Sequence, residues 1–292
     1  MRILVTGASG HLGRPVVKAL RAKGHEVVGT YHSHPRPGLR PLDVTDAEAC
    51  AACVRETAPD AIVHSAADRD PDSCARDPER ATRLNVASTA HLLDAMDPGT
   101  LFLFVSSDYV FDGEHAPYRE DDERRPINHY GRTKVESEDL VRARAREWIA
   151  TRIPWLYGVN DREEATVLTK TAKLVLAGTP VKMDHVAARY PTYIGDVAAA
   201  IAHLVDVGFR GPVHLTGPEK TTKYELTRRM AGWLGRDPSF VAPDRAPVTP
   251  APRPRDCQLA TETFRAAGGA PFRGFSEVMP GLLRELGYDV AP

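Results

Sequence analysis

The sequence predicts an α/β fold, a doubly wound parallel sheet with helices on both faces and a smaller C-terminal α/β lobe. Short apolar runs alternate with helical patterns through the first half, and a glycine-rich turn follows the first run. This alternation stops near residue 155 of the 292 residues. We therefore divide the chain into residues 1–155 and 156–292, and we expect the second part to be interleaved with the first.

The strands of the first half are predicted from short apolar runs. Ile3–Thr6 is such a run, and a glycine follows it, which is typical of a buried parallel strand. The same pattern predicts further strands at His25–Thr30, Ala61–His64, Leu101–Ser106 and Ile149–Ile153.

The helices between these strands are predicted from the spacing of apolar residues. After the glycine-rich turn, Val16, Val17 and Leu20 share one helical face, Pro15 stands in the first turn and Gly24 follows the end. Strands that alternate with helices are joined by right-handed crossovers, so the sheet is predicted to be parallel. Further helices are predicted at Asp46–Glu56, Pro78–Met96 and Tyr130–Trp148.

The second half has a less regular pattern. One strand is predicted at Val213–Thr216, and a proline-rich linker, PDRAPVTPAPRPRD, precedes the last helix. The helices predicted in this half are Glu163–Ala177, Tyr193–Val207, Lys223–Leu234 and a segment near Ser276–Leu286.

The composition is that of an ordinary folded protein. Hydrophobic residues make up 42% and charged residues 26%, which argues against disorder. A net charge of -1 lacks the basic surplus of a general nucleic-acid binder. The sequence has no apolar run of about 18 residues, and its N-terminal MRILVTGASG does not resemble a signal peptide, so we expect a cytoplasmic protein without a membrane span.

The four cysteines predict neither a disulfide framework nor a metal site. Cys50 and Cys53 form a C-x-x-C pair, but they stand in an alanine-rich helical segment, and no second pair completes a zinc site. We interpret them as small core residues and predict that the chain binds no metal.

The first turn has the composition of a phosphate-binding loop. It reads G-A-S-G-H-L-G, a G-x-x-G-x-x-G pattern placed between an apolar strand and a helix. Glycines allow a tight turn and a close approach to a pyrophosphate, and the helix directs N–H groups and its positive end at the anion. This context predicts a Rossmann-type dinucleotide-binding domain. We assign the following turn residues to the cofactor: Gly7, Ser9, Gly10, His11, Leu12 and Gly13.

The end of the second strand indicates which dinucleotide binds. A carboxylate there would bind the ribose 2′-hydroxyl of NAD(H), but no acid occurs from Gly29 to Pro41. The polar and basic residues Ser33, His34 and Arg36 suit a 2′-phosphate, so the sequence favours NADP(H), with NAD(H) as the alternative. Asp43 and Val44, in L-D-V-T-D, are predicted to lie near the adenine.

A Tyr/Lys pair predicts carbonyl reduction. Tyr130 and Lys134 form Y-x-x-x-K, and one helical turn separates them, so their side chains share a face. Ser107 stands at the C-terminal end of a predicted strand, where such folds bind ligands. Reduction of a ketone by hydride requires a proton, and we expect the Lys134 cation to lower the pKa of Tyr130 so that the phenol supplies it. We predict Ser107, Tyr130 and Lys134 as the catalytic residues, with Ser107 holding the carbonyl.

These motifs resemble the extended short-chain dehydrogenase/reductase superfamily, and within it the dTDP-4-dehydrorhamnose reductase family. The similarity rests on G-x-x-G-x-x-G, S-S-D-Y-V-F-D-G and Y-G-R-T-K, and it continues through R-I-P-W-L-Y-G, R-Y-P-T and R-P-R-D-C-Q-L. It implies an NAD(P)-binding domain, a C-terminal substrate-binding lobe, and NAD(P)H-dependent reduction of a 4-keto-6-deoxy sugar nucleotide. It also implies that Lys134 holds the nicotinamide ribose. The remaining residues assigned to the cofactor site are Ala66, Ala67, Asn85, Ser106 and Ile153.

One branch of the family has a different role. The segments M-D-H, R-Y-P-T, T-K-Y-E and R-P-R are similar to the regulatory β subunit of methionine adenosyltransferase, which keeps the Tyr/Lys pair and acts as a binding partner. A non-catalytic NADP-binding subunit is therefore a second hypothesis. A sugar-nucleotide epimerase or dehydratase is a third, although the acidic D-E pair typical of dehydratases is absent.

Candidate substrate residues lie in both halves. Arg253 is expected to reach the substrate, and with Arg255 it could hold a diphosphate by bidentate contacts, although a solvated basic loop explains the pair equally well. The other residues assigned to the substrate are Asp108, Val110, Trp155 and His185. The expected partner is a small nucleotide-sugar rather than nucleic acid or membrane. The patterns leave the oligomeric state open and are compatible with a homodimer.

Overall fold

The structure, a computed structural model, describes residues 1–159 and 166–291. Its centre is a seven-stranded parallel sheet, which confirms the predicted fold class. The strands of the described chain are β1 (Arg2–Thr6), β2 (Glu26–Tyr31), β3 (Leu39–Pro41), β4 (Ala61–His64), β5 (Leu101–Ser107), β6 (Glu147–Ile153), β7 (Leu156–Tyr157), β8 (Val181–Asp184), β9 (Thr192–Tyr193), β10 (Gly211–His214) and β11 (Val241–Asp244). The spatial order of the central sheet is β10-β6-β5-β4-β1-β2-β3, so the strand order reverses between β1 and β4.

Helices cover both faces of this sheet. The α-helices of the described residues are α1 (Gly13–Ala22), α2 (Ala47–Thr57), α3 (Pro71–Arg76), α4 (Pro78–Thr82), α5 (Ser88–Ala95), α6 (His129–Arg144), α7 (Val167–Ala177), α8 (Ile194–Asp206), α9 (Lys223–Trp233), α10 (Glu262–Ala266) and α11 (Phe275–Glu285). Short 3₁₀ turns occur at Asp108–Val110 and Pro238–Phe240.

The sheet is buried on both faces because apolar residues occupy successive positions along its strands, and successive side chains point to opposite faces. Ile3 packs with α1 and α8 on one face, and Leu4 packs with α2 and α5 on the other. Both side chains are completely buried. Burial of one such side chain contributes roughly 1.5–3 kcal/mol, so the sheet and its helices form one cooperative core.

The structure corrects two predicted helices of the first half. The helix predicted at Pro78–Met96 contains a π-helical segment, Arg83–Ala87, and it ends at Ala95. The helix predicted to run from Tyr130 to Trp148 ends at Arg144 instead, because β6 begins at Glu147 and pairs with the whole of β5. Pairing with a distant strand therefore determines the boundary, which local helical periodicity does not reveal.

Two strands at the edges of the sheet also differ from the predictions. The short strand β3 was not predicted, because L-R-P is too short and too polar to show alternation. Strand β10 begins at Gly211 rather than Val213 and ends before Leu215. Both are edge strands with one neighbour, where hydrophobic patterning is weak.

The remaining C-terminal elements form a smaller lobe. Helices α7, α9 and α11 enclose a separate core that includes Leu168, Met230 and Phe275. Two-stranded sheets, β8 with β11 and β7 with β9, complete it. Helix α8 and strand β10 belong to the second half of the sequence, but they pack with the central sheet rather than with this lobe. The start of the helix predicted at Glu163–Ala177 lies outside the described residues, and α7 begins at Val167, capped by Thr166.

All four cysteines are buried as free thiols, in agreement with their interpretation as core residues. Among the described residues, none of the helices combines the length and apolarity that crossing a membrane requires.

Candidate active site

The glycine-rich turn between β1 and α1 leaves space for a ligand close to the main chain. The amide of Gly10 donates to the carbonyl oxygen of Gly7 at 2.8 Å, and Gly7 has a φ angle of 66°. A Cβ atom on Gly13 would lie 2.2 Å from that carbonyl oxygen, so only glycine fits there. Helix α1 starts without a side-chain cap. The turn therefore has the form that a pyrophosphate requires.

Basic side chains surround this turn. Burial, together with the charges of Arg69 and Arg14, lowers the pKa of His11 to about 4, so the imidazole is neutral at neutral pH. Arg69 lies in the loop after β4 and was not assigned to the cofactor from sequence, although Ala66 and Ala67 of the same loop were. Of the other predicted turn residues, Ser9 is half-buried and Leu12 packs in the core.

Asn85, within the π-helical segment, holds the loop after β4 against helix α6. Its amide oxygen accepts from the main-chain N–H of Asp68 at 2.8 Å, and its amide nitrogen donates to Thr133 Oγ1 at 3.0 Å. A Cβ atom on Gly7 would lie 2.9 Å from the main-chain nitrogen of Ala66, so this loop also adjoins the glycine turn. Asn85 thus supports the loop that contains Ala66 and Ala67.

The end of β2 presents both basic and acidic groups. Ser33 Oγ and His34 Nδ1 lie 2.9 Å apart. Arg36, two residues after His34 in the sequence, is half-buried. His32 Nε2 lies 3.6 Å from the Asp43 carboxylate, which also accepts two hydrogen bonds from Thr45. These hydrogen bonds hold the pKa of Asp43 below its usual value, although partial burial opposes them. Val44 is buried behind this strand end.

The three predicted catalytic residues are all buried at the end of β5 and the start of α6. Asn128 caps α6 by accepting from Gly131 N at 2.8 Å, which fixes the turn that carries Tyr130. Lys134 Nζ donates to the carbonyl oxygen of Val105 at 3.0 Å and lies 5.9 Å from the centre of the Tyr130 ring. Tyr130 is hydrogen bonded to Ser107.

Burial modifies the acid–base properties of this group. It raises the pKa of Tyr130 above its ordinary value, and the hydrogen bond with Ser107 acts in the opposite direction. It lowers the pKa of Lys134 to about 8. Burial therefore opposes the expected effect of the lysine on the tyrosine, and a protonated phenol is favoured at neutral pH.

Asp108 adds a buried carboxyl group to the site. Ser107 Oγ donates to Asp108 Oδ1 at 3.0 Å, and Ser107 is also hydrogen bonded to Tyr130. Hydrogen bonds therefore link the side chains of Tyr130, Ser107 and Asp108. Burial raises the pKa of Asp108 to about 7, although the charge of Arg189 and the hydrogen bond from Ser107 lower it. This carboxyl group, assigned to the substrate from sequence, is poised to change protonation state near neutral pH.

Three cations from distant segments surround the cleft beside Tyr109 and Asp108. Arg189 is buried, and its guanidinium donates to the carbonyl oxygen of Ala188 at 2.8 Å. Arg253 pairs with Asp72 at 2.9 Å. Partial burial, Arg189 and Arg253 lower the pKa of Lys223. A partly buried lysine whose pKa is lowered in part by two neighbouring arginines marks a site suited to an anion.

The other residues assigned to the substrate have different surroundings. His185 Nδ1 lies 3.0 Å from Thr222 Oγ1, and its ring packs on Tyr224 with centroids 4.7 Å apart, next to the start of α9. Trp155 is half-buried against the core of the smaller lobe. Val110 is completely buried in an apolar cluster, so its side chain packs in the core. Arg255, the second arginine of R-P-R, is exposed.

Ser106 and Ile153, also assigned to the cofactor, lie at neighbouring strand ends. The Ser106 hydroxyl donates to Glu138 Oε1 at 2.5 Å, and Ser107 has separate hydrogen-bond partners, as alternating side chains of a strand do. Ile153 pairs with Ser107 in the register of β5 and β6 and is buried in the core.

The topology thus gathers the glycine turn, the loop after β4 and the Ser/Tyr/Lys group at the carboxyl ends of β1, β4 and β5. These ends meet where the strand order reverses, which is where open α/β sheets bind ligands. Sequence reasoning did not assign Arg189 or Lys223 to the cleft and used them only as parts of R-Y-P-T and T-K-Y-E. Their shared position depends on how the smaller lobe folds against the sheet.

Comparison with known proteins finds relatives that are similar over nearly the whole chain. Methionine adenosyltransferase 2 subunit beta of Xenopus tropicalis is 38% identical over 283 residues, which is 93% of this chain and 85% of that protein. A crystal structure of a dTDP-4-dehydrorhamnose reductase from Clostridium acetobutylicum has a TM-score of 0.87 and 28% identity, and covers 98% of this chain and 100% of its own. The Thermus thermophilus UDP-glucose 4-epimerase in complex with NAD has a TM-score of 0.85 and 26% identity, with 98% and 99% covered.

The model of one protein family, described as the RmlD substrate binding domain, matches residues 1–287. The match spans both the half that contains the glycine turn and the smaller lobe, and it confirms the resemblance that the sequence motifs indicate. The chain therefore belongs to the RmlD substrate-binding domain family.

Proposed function

We propose that this protein is an NAD(P)H-dependent reductase that transfers hydride to the ketone of a 4-keto-6-deoxy sugar nucleotide. One observation carries the proposal: Ser107, Tyr130 and Lys134 are buried together beside the glycine turn. The family membership and the similarity to a dTDP-4-dehydrorhamnose reductase support a reductase-type activity.

The residues of the turn suit a nicotinamide dinucleotide. Gly13 leaves a space that a Cβ atom would fill, and the uncapped start of α1 would bind the pyrophosphate. Lys134 would hold the nicotinamide ribose, next to the loop of Ala66 and Ala67. The bound dinucleotide supplies the hydride, and the protein supplies the position and the electrostatic field.

The side chains then complete the reduction. Ser107 and Tyr130 hydrogen bond the carbonyl oxygen of the substrate, and Tyr130 transfers its phenolic proton to that oxygen as the alkoxide forms. The Lys134 ammonium stabilises the tyrosinate that remains. Since burial raises the pKa of Tyr130, its proton stays on the phenol until the alkoxide develops.

The substrate class follows from the cation cluster. Arg189, Lys223 and Arg253 would hold the diphosphate of a sugar nucleotide, with the sugar directed toward Tyr130. We further propose that NADP(H) is the preferred dinucleotide, because Arg36 and His34 follow β2, where an acid that selects NAD(H) would stand.

A second candidate function is a non-catalytic, NADP-binding regulatory subunit. The observation that favours it is the 38% identity to a methionine adenosyltransferase 2 subunit beta over 93% of this chain. A sugar-nucleotide epimerase is the third candidate, supported by the similarity to a UDP-glucose 4-epimerase. The Ser/Tyr/Lys group gives only modest support to a catalytic role, because the regulatory branch that the sequence resembles keeps the Tyr/Lys pair as well.

The deciding experiment is a nicotinamide absorbance assay with NADPH or NADH and a panel of 4-keto sugar nucleotides. The reductase proposal expects oxidation of the dinucleotide with at least one ketone. If no ketone is reduced while the protein binds a methionine adenosyltransferase catalytic subunit tightly, the regulatory function is the correct one. An epimerase would give an inverted sugar without net consumption of the dinucleotide.

A further inference from the structure

A buried carboxylate lies directly behind the proposed catalytic group, where α6 meets β5 and β6. Glu138 Oε1 accepts from Ser106 Oγ at 2.5 Å and from Arg152 Nε at 3.1 Å. Its Oε2 accepts from Arg152 Nη2 at 2.9 Å and from Arg124 Nη1 at 3.2 Å. Only 5% of its surface is exposed. Both oxygens of the Glu138 carboxylate therefore accept hydrogen bonds, and the donors belong to β5, to β6 and to the segment before α6.

Lys134 stands four residues earlier on α6, so the two side chains lie one turn apart. Its Nζ donates to the Val105 carbonyl oxygen at 3.0 Å and lies 4.8 Å from the centre of the Phe104 ring. A carbonyl oxygen and an aromatic face both stabilise a cation. The geometry around Lys134 thus suits an ammonium group, although the group is buried.

Other titratable groups near Lys134 are neutral at neutral pH. Burial raises the pKa of the Cys74 thiol to about 12, and burial together with the Lys134 charge lowers the pKa of His64 to about 3. Burial also raises the pKa of Tyr130. Burial lowers the pKa of Lys134, whereas Cys74 and then Glu138 raise it. Since the Cys74 thiol is neutral at neutral pH, Glu138 is the negative charge that offsets the buried ammonium.

We propose that Glu138 is a positioning residue that keeps Lys134 in its charged form and fastens α6 to the two strands that end at the active site. The role of Lys134 in hydride transfer rests on the proposed function, but its charge coupling to Glu138 does not. The proposal adds to the Ser/Tyr/Lys group a fourth residue that touches neither substrate nor dinucleotide.

The charges around Glu138 determine the direction of the effect. Arg152 and Arg124 share this single buried carboxylate, and Arg124 also pairs with the exposed Asp139 at 2.6 Å. His214 lies 3.4 Å from Arg152 Nη1, and burial lowers its pKa to about 3, so it adds no charge. Replacement of Glu138 by a neutral residue would remove the ion pair of Arg152 and leave Arg124 paired with Asp139, so the positive charge near Lys134 would increase. The loss of attraction and the added repulsion both disfavour the ammonium.

The test is a pH titration of Lys134 by heteronuclear NMR of isotope-labelled lysine side chains, in the full-length protein without ligand. The chain contains eight lysines, and the resonance of Lys134 is the one absent from Lys134→Met. In Glu138→Gln, which keeps the size and an acceptor oxygen, we expect the titration midpoint to fall by about one pH unit or more. The control Glu136→Gln removes an exposed charge from the same helix and should leave the midpoint within a few tenths of a unit.

A second variant should shift the titration midpoint of Lys134 in the opposite direction, and it tests the proposal even if Glu138→Gln does not fold. Arg124→Gln removes a half-buried cation beside Glu138, so the midpoint should rise. An unchanged midpoint in a folded Glu138→Gln protein, or a midpoint that falls in Arg124→Gln, would overturn the proposal.

Kinetics separate this result from the proposed function. If the protein reduces a ketone, the alkaline limb of the kcat profile should shift to lower pH in Glu138→Gln by the same amount as the NMR midpoint, with KM little changed. If the wild-type protein reduces no ketone, the proposed function fails, and the NMR titration still decides whether Glu138 sets the charge of Lys134.

Discussion

Lys134 Nζ donates a hydrogen bond to the carbonyl oxygen of Val105 at 3.0 Å. Val105 stands two residues before Ser107 on β5, so this contact joins helix α6 to the strand that carries the serine. The phenol of Tyr130, one turn before Lys134, is thereby held within hydrogen-bond reach of Ser107. The distances within this group are set by the sheet rather than by a mobile loop.

Removal of the Tyr130 hydroxyl tests the proton donor. In Tyr130→Phe, we expect kcat for ketone reduction to fall at least about 100-fold, because the general acid that delivers the proton to the alkoxide is removed. Tyr109→Phe is the matched control, since its ring packs 5.8 Å from that of Tyr130 and loses the same atom. Stopped-flow or steady-state absorbance gives kcat, and dinucleotide affinity should stay within a few-fold in both variants. A Tyr130→Phe protein that keeps a tenth of its activity would contradict the assignment.

Removal of one cation tests the proposed diphosphate site. In Lys223→Met, we expect the affinity for a nucleoside diphosphate, measured by calorimetry, to fall about 10-fold because one charge-assisted contact is lost. The ligand-free variant should be more stable to heat, because Arg189 and Arg253 no longer repel a third cation. Lys220→Met serves as the control, since exposed Lys220 already pairs with Asp256 at 2.6 Å. Equal effects of the two variants would show that the cluster does not bind the diphosphate.

A single substitution after β2 tests the preference for NADP(H). In Arg36→Ala, we expect the Kd for NADPH to rise about 10-fold and the Kd for NADH to stay unchanged, since only NADPH carries a 2′-phosphate. The control is Arg40→Ala, which removes an arginine that pairs with Glu56 instead. Nicotinamide fluorescence titrations provide both constants. A wild-type protein that binds NADH more tightly than NADPH would refute the proposed preference.

Because the carboxyl group of Asp108 is buried, we expect the free energy of unfolding to depend on pH. Burial raises the pKa of Asp108 to about 7 from 3.8, so the folded state keeps the proton while the unfolded state loses it. The contribution of Asp108 to the free energy of unfolding therefore falls as the pH rises from about 4 to about 7. Asp108→Asn does not titrate at this position. The free energy of unfolding of Asp108→Asn minus that of the wild type should therefore increase by roughly 2 kcal/mol or more between pH 4 and pH 8.

Urea unfolding at the two pH values measures this difference. Asp139→Asn, an exposed change on α6, provides the control and should show no comparable gain. If the relative stability of Asp108→Asn is the same at both pH values, the carboxyl group is not held protonated by the fold.

Local patterns were sufficient to predict the central sheet. β4 lies where its apolar run indicates, and the glycine turn follows β1 as predicted, because burial on both faces leaves a continuous apolar signature. The end of α6 was wrong by several residues, because pairing with β5 draws Glu147 and Trp148 into a strand. Such long-range pairing leaves little local signal.

The sequence by itself determined the fold class, the position of the glycine turn and the pairing of Tyr130 with Lys134, because these depend on spacing within one or two adjacent elements. The tertiary structure decided the rest of the site. It brings Arg189, Lys223 and Arg253 to one cleft, and it buries Glu138 between the strand ends. Charges far apart in the chain influence one another only after folding places them together and excludes water, and the lowered pKa of Lys223 is the result of such partial burial and proximity.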